Sequence, residues 1–429
     1  MRIGIDLSPL QGPHRMRGIG FTLLNYINSL QATEKKDNHY IFFTLPDVDV
    51  MFKNPLELID VNDLSYEIRV IKSKKRALGK LPRQLHQIVG ILNSILDLRD
   101  YYLGDSRISK LKDIDIFMQF DQSQSLPKKW GMKTVLILYD IIPYVLEWDY
   151  LISFKTAKHS NHSFKGSVKL QLQRYLYMKK LRINVKHAKY LVAISEATKQ
   201  DFIRYTRVKP KKIKVVPLGI TLPTVGDRNP PIKILQYLRN SWGYIKRPIN
   251  FDEPYLLFVG GTDSRRKLED LIAAFNLIRA RGHKIKLVLV GDIMLGPEAI
   301  TNQVLRKALK SSSYLDDIVF MGFVDDAIRN WLYKNALVFV FPSVYEGFGL
   351  PVLEAMSYGT LVLSRNNQAT MEVAENTILY VDDFMEMADK IISVIKDPNG
   401  HKSLTEKALK QVKRFTWDKT AEGISAIYH

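Results

Sequence analysis

Glu346-Gly347-Phe348-Gly349-Leu350-Pro351-Val352-Leu353-Glu354-Ala355-Met356 sets two carboxylates either side of a glycine-rich turn and a helix start, with seven residues between them. Pro351 suits the first turn of a helix, where its missing N–H costs nothing. Gly359 suits the helix end, because glycine tolerates a left-handed cap. Gly347 and Gly349 let backbone N–H groups approach a ligand, and the helix start adds the positive end of its dipole. The stretch therefore offers amides to an anion, one acid in the loop and one on the helix. Acids beside a diphosphate site bind hydroxyls rather than phosphates, so the outline is that of a nucleotide-sugar site. The apolar run 337–342 just before it reads as a strand, which points the loop at a sheet's carboxyl edge, where open α/β sheets bind ligands. The competing reading is a strand, turn and helix with two solvated acids.

A second glycine turn, Val259-Gly260-Gly261-Thr262-Asp263, leads into Ser264-Arg265-Arg266-Lys267 and then a helix with Leu268, Leu271, Ile272, Phe275 and Ile278 on one face. Gly282 can end that helix. Three cations at a helix start oppose its dipole unless an anion sits there. Two cations and several amides can stabilise a departing nucleoside diphosphate without a metal. Asp113/Asp115 and Asp382/Asp383 fit an acidic metal pair only loosely. No metal and no cofactor are expected.

Short apolar runs alternate with helical patterns along the chain, which implies parallel sheets built from βαβ units. Candidate strands are 2–7, 40–44, 67–70, 115–119, 134–139, 190–194 and 213–216, then 255–259, 286–290, 318–321, 337–341 and 361–363. A stretch rich in proline, glycine and polar residues separates the two sets and reads as a linker. The expectation is two Rossmann-like domains facing across a cleft, residues 1–225 and 254–403, joined by a linker at 226–253. Residues 404–429 read as a C-terminal helix, expected to cross back to the first domain.

The 429-residue chain has no cysteine, which excludes disulfides, thiolate metal sites and a cysteine nucleophile. Residues 1–7 read as a buried strand rather than a signal peptide, and no apolar run reaches the roughly 18 residues of a membrane span. A cytoplasmic protein is expected, with any membrane contact peripheral. The net charge of +19 is uneven: residues 1–225 carry +17, and 151–225 hold 17 basic and two acidic side chains. Such asymmetry suggests a polyanionic partner, and on charge alone nucleic acid and anionic lipid both qualify. A solvated basic face is the plain alternative. No nucleic-acid motif or aromatic platform pattern is present, so nucleic acid is not expected. Basic, partly apolar segments at 72–92 and 165–189 suggest an anionic membrane surface.

The wording EGFGLPVLEAM and its spacing resemble the E-x7-E motif of family 4 retaining glycosyltransferases, which have the GT-B fold. The resemblance covers nearly the whole chain, is strongest from 255 to 375 and is patchy over 30–130. It implies that Glu346 holds the donor sugar and supports charge at the anomeric carbon. Glu354 would bind ribose hydroxyls. Arg266 and Lys267 would hold the diphosphate, helped by Gly261 and the amides of Phe348, Gly349 and Leu350. Phe323 would lie beside the base. Gly18-Ile19-Gly20 resembles the family's Gly-Ile-Gly turn, which approaches the donor phosphates. Tyr139-Asp140-Ile141 resembles its His-Asp-Leu segment, with tyrosine in place of histidine, and is the candidate acceptor contact. A tyrosine is a poor proton acceptor at neutral pH. The resemblance implies transfer of a hexose, mannose from GDP-mannose first, to a glycan or lipid-linked acceptor for bacterial surface polysaccharide. A nucleotide-sugar epimerase, a phosphorylase or a basic nucleic-acid-binding protein are the alternatives.

Overall fold

A computed structural model describes residues 1–11, 18–33, 38–45, 57–59, 61, 63–71, 92, 111–127, 132–146, 164–223, 235–240, 243–248, 251, 253–291 and 302–429. The chain divides into two compact units, Met1–Gly219 with Thr416–His429, and Ile220–Phe415.

The first unit holds seven strands: β1 (Arg2–Asp6), β2 (His39–Thr44), β3 (Ser65–Val70), β4 (Ile116–Gln119), β5 (Lys133–Leu138), β6 (Tyr190–Ala193) and β7 (Ile213–Val215). They form one sheet in the order β3-β2-β1-β4-β5-β6-β7, and every pairing is parallel. Its central strands are buried at successive positions, as in a parallel sheet covered on both faces. The helices Gly18–Thr33, Phe164–His187 and Glu196–Thr206 supply crossovers. Ser195 caps the last of these, accepting from Thr198 N.

The second unit repeats the plan. β8 (Leu235–Asn240) and β9 (Gly243–Pro248) form an antiparallel hairpin. β10 (Tyr255–Val259), β11 (Lys286–Val290), β12 (Ile318–Gly322), β13 (Val338–Phe341), β14 (Val362–Arg365) and β15 (Leu379–Val381) form a sheet in the order β12-β11-β10-β13-β14-β15. All its pairings are parallel. The helix Leu268–Ala280 buries Leu268, Leu271, Ile272, Phe275 and Ile278 against Leu256, Phe258, Leu287 and Leu289. Those are the positions its 3.6-residue period selects.

The boundaries differ from the sequence expectation in two places. The stretch expected as a linker, 226–253, falls inside the second unit and contains the β8–β9 hairpin. Its Gly243 and Pro248, taken as breakers, stand at the two ends of β9. Residues 404–429 are not one helix. Lys402–Val412 stays with the second unit, and Trp417–Tyr428, capped by Thr416, joins the first. Trp417 there meets Phe21 edge-on at 5.8 Å. Among the described residues no helix is long and apolar enough to cross a membrane.

Candidate donor site in the second unit

In the second sheet the strand order reverses at β10, whose neighbours are β11 on one side and β13 on the other. Loops leaving the carboxyl ends of β10 and β13 therefore meet at a topological switch point. The first carries Arg265 and Arg266, the second Glu346. Val344 N donates to Arg265 O at 2.9 Å and locks the loops together. Arg265 Nη2 lies 3.4 Å from Glu346 Oε2, and Arg266 Nε lies 3.8 Å from Oε1. Ser343 Oγ donates to Glu346 Oε1 at 2.7 Å. All three charged side chains are mostly buried, so their attraction is screened far less than on a surface.

The helix Leu350–Ser357 begins beside this cluster. Gly349, at φ +108°, makes the left-handed turn into it, a conformation that strains any residue with a Cβ. The first N–H groups of a helix have no partner within it, so the Leu350 end presents donors. Phe348 is buried and meets Phe415 edge-on at 6.0 Å, which anchors the turn. At the far end Thr360 N donates to Ala355 O and Gly359 N to Met356 O, a Schellman cap with Gly359 left-handed, as expected.

Glu354 projects from the first turns of that helix. Tyr333 Oη donates to its Oε2 at 2.9 Å. Burial pushes the Glu354 carboxyl above the usual carboxylate range, against the opposing charge of Arg329 and the Tyr333 bond. Phe323 follows the end of β12 and exposes 60% of its surface, the position of a ring open to stacking. Gly261 lies in the turn after β10.

Lys267, expected to hold the diphosphate with Arg266, follows directly on the two arginines. It occupies the left-handed junction between the turn Ser264–Arg266 and the helix Leu268–Ala280, with its ammonium 3.7 Å from Glu269. The cations the structure brings to Glu346 are Arg265 and Arg266. Ser343, Tyr333 and Arg329 were not singled out from the sequence, and Arg265 only as one of three cations. A one-residue shift within Arg265-Arg266-Lys267 is invisible to spacing, whereas Arg329 and Tyr333 carry a legible i,i+4 signal on one helix.

The remaining candidates belong to the first unit. Gly18 and Gly20 open the helix Gly18–Thr33. Asp140 Oδ1 accepts from Ile142 N at 3.1 Å, just ahead of the one-turn helix Ile142–Val145. Tyr139, expected beside an acceptor, is buried, with 6% exposure, just after the end of β5. Burial raises its pKa far above the ordinary value. The two acidic pairs have structural partners. Asp113 pairs with Arg69 and Arg2, and Asp115 accepts from Arg2 N. Asp383 caps the helix Phe384–Lys396, and Asp382 accepts from Asn366.

Residues 245–411 match the family described as Glycosyl transferases group 1. O-antigen chain mannosyltransferase B of Escherichia coli is 27% identical over 259 residues, 59% of this chain and 64% of that protein. Serotype-specific mannosyltransferase WbdA of Escherichia coli is 27% identical over 292 residues, 67% of this chain and 32% of that protein. The chain thus spans less than two thirds of the length of either relative. Sucrose-phosphate synthase from Thermosynechococcus elongatus superposes with a TM-score of 0.63 at 18% identity, covering 100% of this chain and 98% of that one. That likeness establishes the fold, two parallel-sheet units of GT-B type. Residues 245–411 thus match the group 1 glycosyltransferase family, in a chain with the GT-B fold.

Proposed function

We propose that the chain is a retaining glycosyltransferase that moves a hexose from a nucleotide sugar to a hydroxyl of a glycan or lipid-linked glycan in bacterial surface polysaccharide synthesis. GDP-mannose is the first choice of donor, on the strength of relatives named mannosyltransferases. The observation that carries the reading is Glu346, held by Ser343 between Arg265 and Arg266 at the switch point of the second sheet. Nε and Nη1 of Arg266 are buried without a hydrogen-bond partner. Unpaired cationic donors are costly, and a diphosphate beside the arginine offsets that cost.

In this reading Arg265, Arg266 and the amides at Gly349 and Leu350 stabilise the charge that grows on the departing diphosphate. Glu346 accepts from sugar hydroxyls and faces the positive charge developing at the anomeric carbon. Glu354 takes the ribose and Phe323 the base. In this reading the leaving phosphate receives the acceptor's proton. Gly18 and Gly20 are kept as donor contacts and Asp140 as an acceptor contact. Reversible association with an anionic membrane would deliver a lipid-linked acceptor to a protein working on the cytoplasmic side.

Thermal unfolding with GDP-mannose, UDP-glucose, UDP-galactose and dTDP-glucose tests the donor. A ligand at 100 times its Kd stabilises by about 2.7 kcal/mol, a readily measured shift. GDP-mannose is expected to give the largest rise. A larger rise with another sugar replaces the donor, and no rise with any of them removes the reading.

A further inference from the structure

Tyr333 is fully buried on the helix Asp326–Asn335, and its surroundings leave its ring little freedom. It stacks on Tyr358 at 5.9 Å with a 7° interplanar angle and meets Phe339 edge-on at 5.3 Å. Thr360 Oγ1 donates to its carbonyl at 2.5 Å. The phenol carries one proton, and Glu354 Oε2 accepts it. Burial together with the Glu354 charge holds the Tyr333 pKa far above its ordinary value, so it remains a donor at every working pH. Arg329, one turn earlier on the same helix, supplies positive charge to the same carboxylate. One oxygen of Glu354 is thus fixed by a rigid donor, and Oε1 has no protein donor among the described residues.

We propose that Tyr333 is a positioning residue: by holding Glu354 Oε2 it aims Oε1 at the ribose diol and makes the site select ribonucleotides over 2′-deoxyribonucleotides. This rests on the reading of Glu354 as the ribose ligand. A carboxylate free to rotate meets a lone 3′-hydroxyl nearly as well as a vicinal diol. A carboxylate held at one oxygen presents the other in a single direction, and a missing 2′-hydroxyl then leaves a desolvated charge unpaired. Hydrogen bonds to charged groups are strong enough for about tenfold discrimination.

Calorimetric titration of the full chain with GDP, UDP and their 2′-deoxy counterparts tests this. The wild type is expected to bind at least one ribonucleotide about tenfold more tightly than its deoxy form. Tyr333→Phe, which removes only the hydroxyl, is expected to bring that ratio close to one. Glu354→Gln is expected to do the same, and Tyr333→Phe added to it should change the ratio no further, as two residues acting through one contact require. A wild-type ratio retained in Tyr333→Phe but lost in Glu354→Gln overturns the inference alone. Equal weakening of ribo and deoxy forms by Tyr333→Phe in both backgrounds marks a merely structural tyrosine and overturns it too. Absence of discrimination in the wild type removes the ribose reading itself. Should Tyr333→Phe not fold, Glu354→Asp withdraws the carboxylate from Tyr333 without touching the core. It should lose the ratio, and a retained ratio counts against the proposal.

Discussion

The guanidinium of Arg266 occupies the place where a Cβ on Gly260 would stand. The turn after β10 therefore needs glycine for space: the arginine lies flat on the backbone that positions it. Gly260→Ala should displace Arg266 without disturbing β10, since Gly260 N stays bonded to Val290 O. We expect Gly260→Ala and Arg266→Ala to lower kcat/KM alike, by about 10²-fold, as loss of one preorganised charge donor typically does. Arg265→Ala should match them, and Lys267→Ala should cost less. Near-normal kcat/KM in Gly260→Ala and Arg266→Ala would detach this arginine from the chemistry.

The two acids should separate under isosteric substitution. Glu346→Gln is expected to lower kcat strongly with nucleoside diphosphate affinity almost unchanged, because its neighbours Ser343 and Arg265 hold it on the loop. Glu354→Gln is expected to weaken nucleotide binding first. Equal affinity losses in titrations of both variants would contradict this division.

Nucleotide affinity should also carry the titration of Glu354. Ribose hydroxyls need the ionised carboxylate, and burial raises its pKa. On acidification the ionised form is lost at a higher pH than for an ordinary acid, so affinity falls early. For folding the sign is reversed. Stability from this group is present below its unfolded pKa and is lost as pH rises through the raised folded value. Titrations between about pH 5 and 8 should show a fall in the wild type that Glu354→Gln lacks, Glu being normally ionised above about pH 4.3. Parallel profiles in the two proteins would refute it.

Activity is expected to survive excess EDTA, because Arg265 and Arg266 stand where a divalent ion would otherwise neutralise the diphosphate. Loss of activity restored by Mg²⁺ or Mn²⁺ would reverse that expectation.

Most strands were legible because buried parallel strands are short apolar runs between turn residues, as at Tyr255–Val259 and Val338–Phe341. β15 was missed because Leu379-Tyr380-Val381 is too short to show a pattern. The hairpin β8–β9 was hidden by the glycine and prolines around it, which also stop strands. Glu346, Glu354 and Gly349 were legible because a motif fixes them at one turn. Which two of three adjacent cations face Glu346 depends on the left-handed Lys267, a conformation no side chain in that run announces. The burial of Tyr139 was not legible, because a chain position beside Asp140 does not reveal which side of the strand end faces the core.

The basic first unit leads to the last prediction. On the helix Phe164–His187, Leu176, Met178, Leu181 and Val185 are buried, while Leu172 and Tyr175 are exposed. Lys179 Nζ lies over the Tyr175 ring at 5.8 Å. Arg182 and Lys186 are exposed as well, whereas Lys180 is buried. The other basic segment, 72–92, lies outside the described residues except for Leu92. The helix thus presents an aromatic and an aliphatic side chain among cations, the composition of an interfacial surface. Each cation near an anionic bilayer contributes on the order of 1 kcal/mol. Reversing Lys179, Arg182 and Lys186 to glutamate should therefore weaken co-sedimentation with phosphatidylserine vesicles by at least about 10²-fold. Raising salt from 0.1 M to 1 M, which shortens the Debye length from about 10 Å to about 3 Å, should act in the same direction. Donor hydrolysis should stay intact, because none of these three side chains is a proposed donor contact. If the wild type remains in the supernatant with anionic vesicles at low salt, this face serves another purpose, and a water-soluble acceptor becomes the better reading.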